Sequence, residues 1–171
     1  MPNLSMSTTQ SAVEEVRHEF LISRMTEHDL LEVVEIEERS GLSRWGWSAY
    51  YAELHGPNRD FMLVARPRRE GEVMSGSVVG YIVARLVAGE VHINNVAVQE
   101  NFRRRGLGSL LLTQIVEAAR LTGGRVAFLE VRAANLAAQA LYEKCGFRPV
   151  ARRRNYYSSP VEDAIVMSLI L

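Results

Sequence analysis

Residues 95–109 read NVAVQENFRRRGLGS, and this stretch decides the fold. An extended segment ends at Val98, a polar loop carries Arg103, Arg104 and Arg105, and Gly106 and Gly108 stand where a long apolar-periodic helix begins. Glycine there lets backbone approach a ligand closely, and the first N–H groups of a helix have no intrahelical acceptor. They carry the positive end of the helix dipole, so the arrangement forms an anion site suited to a pyrophosphate. Three arginines add long-range attraction and bidentate partners. The plainer alternative is a solvated basic loop whose glycines serve only the turn. The spacing Arg103-x-x-Gly106-x-Gly108 differs from other phosphate loops. The only lysine is Lys144, which rules out Gly-Lys-Ser/Thr, and no GxGxxG follows a first strand.

Working outward, residues 76–87 and 90–98 are rich in β-branched residues and are separated by Ala88-Gly89, a hairpin signal. The helix over 106–121 places Leu111, Leu112, Ile115, Val116 and Ala119 on one face and stops at Gly123-Gly124. Residues 125–131 form a short apolar strand, Asn135 caps a helix through Cys145, and strands over 147–157 and 162–171 close the chain. Upstream, residues 20–25 and 60–66 read as strands, and residues 67–76 (PRREGEVMSG) as a turn-rich connection. Thr26 opens a helix with Asp29 completing a capping box, Gly41 ends it, and a second helix over 45–54 stops at Gly56-Pro57. The order β-α-α-β-β-β-α-β-α-β-β predicts an α/β (α+β) three-layer domain, a mixed sheet with helices on both faces. Residues 1–19 are expected to be a flexible leader and 20–171 a single domain.

The 171 residues hold 20 basic and 20 acidic side chains, one cysteine and no apolar run of membrane-spanning length. A disulfide framework and a zinc site are excluded by composition, so no metal is expected. The start of the chain lacks a basic region followed by an apolar one, which reads as no secretory signal, and a cytoplasmic location is expected. Neutral balance gives little support to nucleic-acid binding. The neutrality hides a split: residues 1–60 carry five arginines against eleven carboxylates, and residues 61–171 fifteen basic against nine acidic residues. Such a split can steer ligands of opposite sign, unless folding intermingles the halves.

Arg-x-x-Gly-x-Gly at a helix start, then a strand, then Asn135 and a helix ending ALYEKCGF (140–147), resembles the GCN5-related N-acetyltransferases from residue 20 to residue 171. Within that superfamily, LEVRAANLAAQALYEKCGF, RRNYY and EDAIVM resemble the bacterial ribosomal-protein alanine N-acetyltransferases. The resemblance implies a mostly antiparallel sheet splayed between two central strands, with acetyl-CoA in the cleft and no metal. Its acetyl and pantetheine portion would pair with backbone at Val96, Ala97 and Val98. The pyrophosphate would lie on Arg103, Arg104, Arg105, Gly106, Leu107, Gly108 and Ser109, with Asn135 also touching the cofactor. Glu130 matches the proton acceptor and Tyr142 the proton donor to the departing thiolate. The acceptor would be a protein N-terminus, that of a ribosomal protein, with no direct nucleic-acid or membrane contact and a monomeric or weakly dimeric state.

The residues themselves agree with these roles. Glu130 interrupts the run VAFLEV, where a strand buried on both faces should avoid a charge. It is either retained for function or paired with Arg132, two residues on and on the same strand face. Tyr142 projects from the same helical face as Asn135, and its alternative role is core packing. An α-amine, with its reference pKa near ~8, is partly neutral already, so a carboxylate is an adequate base. Cys145 reads as a packed thiol and His92 as a hydrogen-bonded strand residue. Trp45, Trp47, Tyr156 and Tyr157 are either an acceptor-side wall or core. The acidic first sixty residues are expected to attract a basic peptide tail. Rival readings are transfer to a small amine or a lysine side chain, and a non-catalytic acetyl-CoA sensor.

Overall fold

The computed structural model describes residues 14–42, 44–68 and 76–171. Its elements are β1 (Phe20–Arg24), α1 (Leu30–Ser40), α2 (Gly46–Leu54), β2 (Met62–Pro67), β3 (Gly80–Val87), β4 (Glu90–Val98), α3 (Leu107–Leu121), β5 (Val126–Arg132), α4 (Leu136–Lys144), β6 (Arg148–Ser158) and β7 (Val161–Ile170). The order is the one the sequence predicts. The Thr26–Asp29 capping box is present, but it opens a short 3-10 turn over Glu27–Asp29, and α1 begins only at Leu30. Gly41, at φ 65°, takes the left-handed conformation that ends α1.

The order of expectation and structure differs at the start of the chain. Residues 14–19 are helical and run straight into β1. Val16 packs on the main core, Arg17 pairs with Glu117 at 3.5 Å, and the Arg68 Nε donates to the Arg17 carbonyl at 3.1 Å. These contacts anchor the last turn of the expected leader. Residues 1–13 and most of the 67–76 connection lie outside the described residues.

Seven strands form one sheet in the order β1-β2-β3-β4-β5-β7-β6. Only β4 and β5 run parallel, and α3 supplies the crossover between them. One face carries the main core, in which Leu107, Leu110, Leu111, Leu112, Ile115 and Ala119 of α3 meet Ile82, Val91, Ile93, Ala127, Leu129, Val131 and Met167 of the sheet. On the other face α1 and α2 bury Met62, Val64, Tyr81, Val83 and Ala97, which belong to β2, β3 and β4 alone. That second layer therefore covers half the sheet, and among the described residues no helix covers the same face of β5, β7 and β6 beyond it.

A bulge in β4 sets up the site. Val83 of β3 pairs with Asn95, and the next residue, Ala84, pairs with Ile93, leaving Asn94 as the extra residue. The insertion reverses the alternation of faces. Val91 and Ile93 point into the main core, whereas Asn95 and Ala97 turn toward α1 and α2. It also ends the pairing with β5, whose ladder to β4 stops at Ile93 and Leu129. Beyond that pair the two strands part and leave a fork in the middle of the sheet.

Candidate active site

Val96, Ala97 and Val98 form the β4 arm of the fork. They stay paired to β3 through Ile82, Tyr81 and Gly80, so their other edge faces the gap without a strand partner. Glu130 is the first residue of the β5 arm past the last β4–β5 pair. The expected splay is thus present, and it brings the β4 segment and Glu130 to opposite sides of one opening.

At the end of the β4 arm, a 3-10 turn over Glu100–Phe102 leads into the arginine loop. Arg103 Nε donates to the Val98 carbonyl at 2.9 Å, which ties the loop to the strand. Arg104 (φ 64°) and Gly106 (φ 79°) are both left-handed, and no side chain caps α3. The first helical bond runs from Leu110 N–H to the Gly106 carbonyl, so the N–H groups of Leu107, Gly108 and Ser109 remain available to an anion. The three arginines do different things. Arg105 lies over the rings of Phe20 and Phe102, each 5.5 Å from its guanidinium carbon, and pairs with Glu19. Arg103 is held by the strand end. Arg104 makes no ion pair among the described residues. The second glycine also serves packing, because a Cβ on Gly108 would meet Leu141 of α4 at 3.0 Å.

Asn135 is the N-cap of α4, its side chain accepting from Ala138 N–H at 3.1 Å, and it sits exposed at the helix start. One turn from the other end of α4, Tyr142 is buried with its ring edge toward Phe147 at 6.2 Å. The Tyr142 hydroxyl has no hydrogen-bond partner among the described residues. Burial, followed by the phenols and thiol of Tyr157 and Cys145, pushes the Tyr142 pKa well up, so the phenol keeps its proton.

Glu130 occupies the open face. The burial of β5 alternates, with Ala127, Leu129 and Val131 in the core and Glu130 turned the other way. The expectation of a strand buried on both faces is therefore corrected, because α1 and α2 stop at β4. Nor is Arg132 the partner of Glu130. Arg132 Nη1 donates to Glu162 at 3.0 Å and its guanidinium carbon lies 4.2 Å from the Tyr157 ring centre. The partner is Arg153 of β6, whose Nη1 is 3.0 Å from Glu130 Oε1.

Tyr157 is the residue whose place sequence reasoning leaves open. It is half-buried, and its pKa is pushed up to about 12, mainly by burial, with Arg132 opposing and Glu130 adding. It also adds to the upward shift of Tyr142, and so lies within electrostatic reach of both Glu130 and Tyr142. A signal existed in the repeated aromatic of RRNYY at the end of a strand. Trp45 packs beside Tyr50 and under Arg85, Trp47 stacks on Tyr51 at the surface, and Tyr156 is exposed beside Tyr157. Burial, ahead of other causes, raises the Cys145 pKa, which suits a packed thiol rather than a nucleophile. His92 is exposed, beside Glu90 at 3.3 Å and stacked on Phe128.

The other residue that sequence reasoning did not single out is Glu37 of α1. It is 1% exposed and accepts from Trp45 N–H at 2.8 Å, Gly46 N–H at 3.0 Å, Tyr50 hydroxyl at 2.7 Å and Asn95 Nδ2 at 3.2 Å. It ties the connection between α1 and α2 to β4 beside the fork. Other carboxylates of the acidic segment are likewise engaged: Asp29 with Arg66, Glu53 with Arg85, Glu19 with Arg105, and Glu32 with Val78 N–H. All four contacts, three of them ion pairs, join the acidic part of the chain to the basic part. Folding intermingles the halves, and the expected acidic attraction for a basic tail loses its support.

Known proteins resemble this chain over most of its length. The model of the "Acetyltransferase (GNAT) family" matches residues 28–147. The [ribosomal protein bS18]-alanine N-acetyltransferase of Salmonella typhimurium is 33% identical over 150 residues, covering 86% of this chain and 95% of that protein. The crystal structure of the ribosomal-protein-S18-alanine N-acetyltransferase from Escherichia coli superposes with a TM-score of 0.72 at 32% identity, covering 88% of this chain and 93% of that one. Ard1 from Thermoplasma volcanium superposes with a TM-score of 0.79 at 28% identity, covering 90% and 98%. Among the described residues no helix is long and apolar enough to cross a membrane.

Proposed function

The chain belongs to the GNAT acetyltransferase family, and from that premise we propose that it acetylates the N-terminal alanine of ribosomal protein bS18, using acetyl-CoA. The observation that carries the substrate is the 33% identity to an enzyme named for that reaction, extending over 95% of its length. The fork between β4 and β5, with a carboxylate on one arm and an uncapped helix at the end of the other, supports the chemistry.

Acetyl-CoA supplies an activated acyl carbonyl and a thiolate leaving group. The unpaired edge of Val96, Ala97 and Val98 offers strand-like hydrogen bonds to its amide arm, and N–H groups there can hold negative charge developing on the carbonyl oxygen. The left-handed residues Arg104 and Gly106 and the N–H groups of Leu107, Gly108 and Ser109 form a cradle whose charge suits a diphosphate. Arg103 shapes that loop, Arg105 fastens it to β1, and Arg104 is the arginine available to the ligand. Asn135 has its amide nitrogen to offer the ligand while its oxygen caps α4.

In this reading Glu130 Oε2 or Oε1 takes a proton from the acceptor ammonium, giving the neutral amine that attacks. Half-exposure lets substrate and water reach the carboxylate, and the ordinary basicity of an α-amine makes the transfer modest. Tyr142, kept protonated by burial, gives its proton to the thiolate as the C–S bond of the thioester breaks, and the second proton shed by the new amide nitrogen restores the phenol.

Turnover on a panel of acceptors tests the proposal. The N-terminal peptide of bS18 and other alanine-first peptides are expected to be acetylated, with N-blocked lysine peptides and small amines inert. Turnover confined to lysine or small amines would discard the substrate and keep the chemistry. Tight acetyl-CoA binding with no turnover on any acceptor would replace the enzyme by a sensor.

A further inference from the structure

Glu130 is held by a residue two strands away. β7 lies between β5 and β6, and neighbouring strands are ~4.8 Å apart, so Arg153 must reach across β7 to touch Glu130. The path is clear because Arg153 pairs with Ala164, a small residue, in the β6–β7 ladder. Immediately afterwards the register breaks. Arg153 pairs with Ala164 and Tyr157 with Glu162, which leaves residues 154–156 of β6 opposite Asp163 alone, with Asn155 left-handed at φ 49°. The bulge ends regular pairing beside Arg153 and turns Tyr156 and Tyr157 toward the same region.

The two arginines near Glu130 are anchored to different degrees. Arg132 bonds the Glu162 carboxylate and the carbonyls of Ser159 and Pro160, and packs on Tyr157, with its side chain 23% exposed. Arg153 has the Glu130 carboxylate and the Tyr156 ring, and its side chain is 53% exposed. Arg132 is fixed. Arg153 is poised to leave.

What Arg153 does at Glu130 is what an acceptor must do there. An α-ammonium is a cation whose N–H groups seek the same carboxylate, and two cations on one carboxylate repel each other. We propose that Arg153 is the resident cation of the acceptor-amine position, held on Glu130 while the site is empty and exchanged for the ammonium of the incoming N-terminus. The proposal rests on Glu130 being the group that receives the amine. Tyr156 gives the displaced guanidinium a surface to rest on, since its ring already lies 5.3 Å away. Arg153 thereby sets the apparent affinity for charged acceptors without touching the product.

Steady-state kinetics of Arg153→Gln and Arg153→Lys, at saturating acetyl-CoA with an alanine-first peptide, test the exchange. A half-exposed pair is weak, so Arg153→Gln should lower the acceptor KM by about threefold with kcat nearly unchanged, and Arg153→Lys should restore the parent KM. Inhibition by the N-acetylated peptide, which has no ammonium, should be the same in all three proteins. A raised KM, a kcat loss of tenfold or more, or an equal shift in product inhibition would overturn the exchange. Repeating Arg153→Gln in a Glu130→Gln background separates the two readings. Loss of the KM effect there supports the exchange, and its persistence refutes it. A Glu130→Gln enzyme that keeps its kcat removes the base alone.

Discussion

Glu37 and Glu130 serve the same half-open face of the sheet, one from α1 and one from β5, and the protein holds them in opposite ways. Glu37 is sealed, and its two oxygens accept from two backbone N–H groups, a tyrosine hydroxyl and an asparagine amide, with no cation among them. Glu130 is 32% exposed and has one ionic partner among the described residues. A buried charge is tolerable only when its lone pairs are filled by fixed donors, and donors on the backbone cannot leave without unfolding the loop. A carboxylate in partial contact with water can trade one partner for another. Glu37 is built to stay as it is, and Glu130 is built to exchange.

The largest expected effect tests the exchangeable carboxylate. Glu130→Gln keeps the shape of the side chain and removes its basicity, so kcat should fall by roughly 10²–10⁴-fold. The melting temperature and the Kd for acetyl-CoA should barely move, because the site is half-exposed and lies on the acceptor side of the fork. Tyr142→Phe, measured alongside, should slow turnover as well; a loss of stability alone would make the phenol a packing residue. If Glu130→Gln unfolds the protein more than it slows it, the contrast with Glu37 is wrong.

Glu37→Gln should behave in the reverse sense. The new NH2 faces groups that donate, which leaves at least one buried donor unsatisfied and costs about 1–3 kcal/mol. For a domain of this size that is a fall of roughly 3–10 °C in Tm, read by thermal denaturation. Glu37→Ala orphans all four donors and should cost more. A variant with unchanged Tm would mean that the network around Tyr50, Tyr81 and Asn95 repairs itself without the carboxylate.

The difference between these two residues was only half legible in the sequence. Each breaks an apolar pattern: Glu130 ends the run VAFLE, and Glu37 falls seven residues after Leu30, on the buried stripe of α1 with Val33. The element order was readable because helical and strand periods are local, and Gly41 and Asn135 mark their own boundaries, whereas the Thr26 box opens only the 3-10 turn before α1. The arginine loop was readable for the same reason. The bulge at Asn94 was not, since the doubled Asn94-Asn95 breaks the alternation of HINNVAV without saying which residue is extra, and only the pairing with β3 reveals it. Nor was the pairing of Glu130 with Arg153, on strands separated by β7, when Arg132 stands two residues away. Which arginine reaches a carboxylate is decided by register between strands, and register is a long-range property.

The smallest effect concerns the hairpin that carries Arg153. Glu162 accepts from Ala134 N–H at 2.7 Å and from Arg132, and these bonds, the backbone one first, hold its pKa below the usual carboxylate range. Asp163 accepts from Asn155 N–H at 2.9 Å and from Arg152, with the same direction and order of causes. The first bond fixes the residue before the Asn135 cap, and the second fixes the left-handed residue of the β6 bulge. A carboxylate whose pKa is lowered by folding stabilises fully above its unfolded value, about pH 4, and stops doing so as pH falls through its folded value. Both carboxylates are half-buried and bond only residues at this end of the sheet, so the hairpin should loosen locally rather than unfold the domain. Amide exchange between pH 7 and pH 3 is the measurement, with protection at Ala134 and Asn155 expected to drop at the acid end. Trp45 and Gly46, whose N–H groups are sealed on Glu37, should stay protected until the whole domain opens. Replacing Glu162 by Gln should abolish the acid step at Ala134 and leave that at Asn155. Simultaneous loss at all four amides would show that the exchangeable and the fixed halves of this face melt as one.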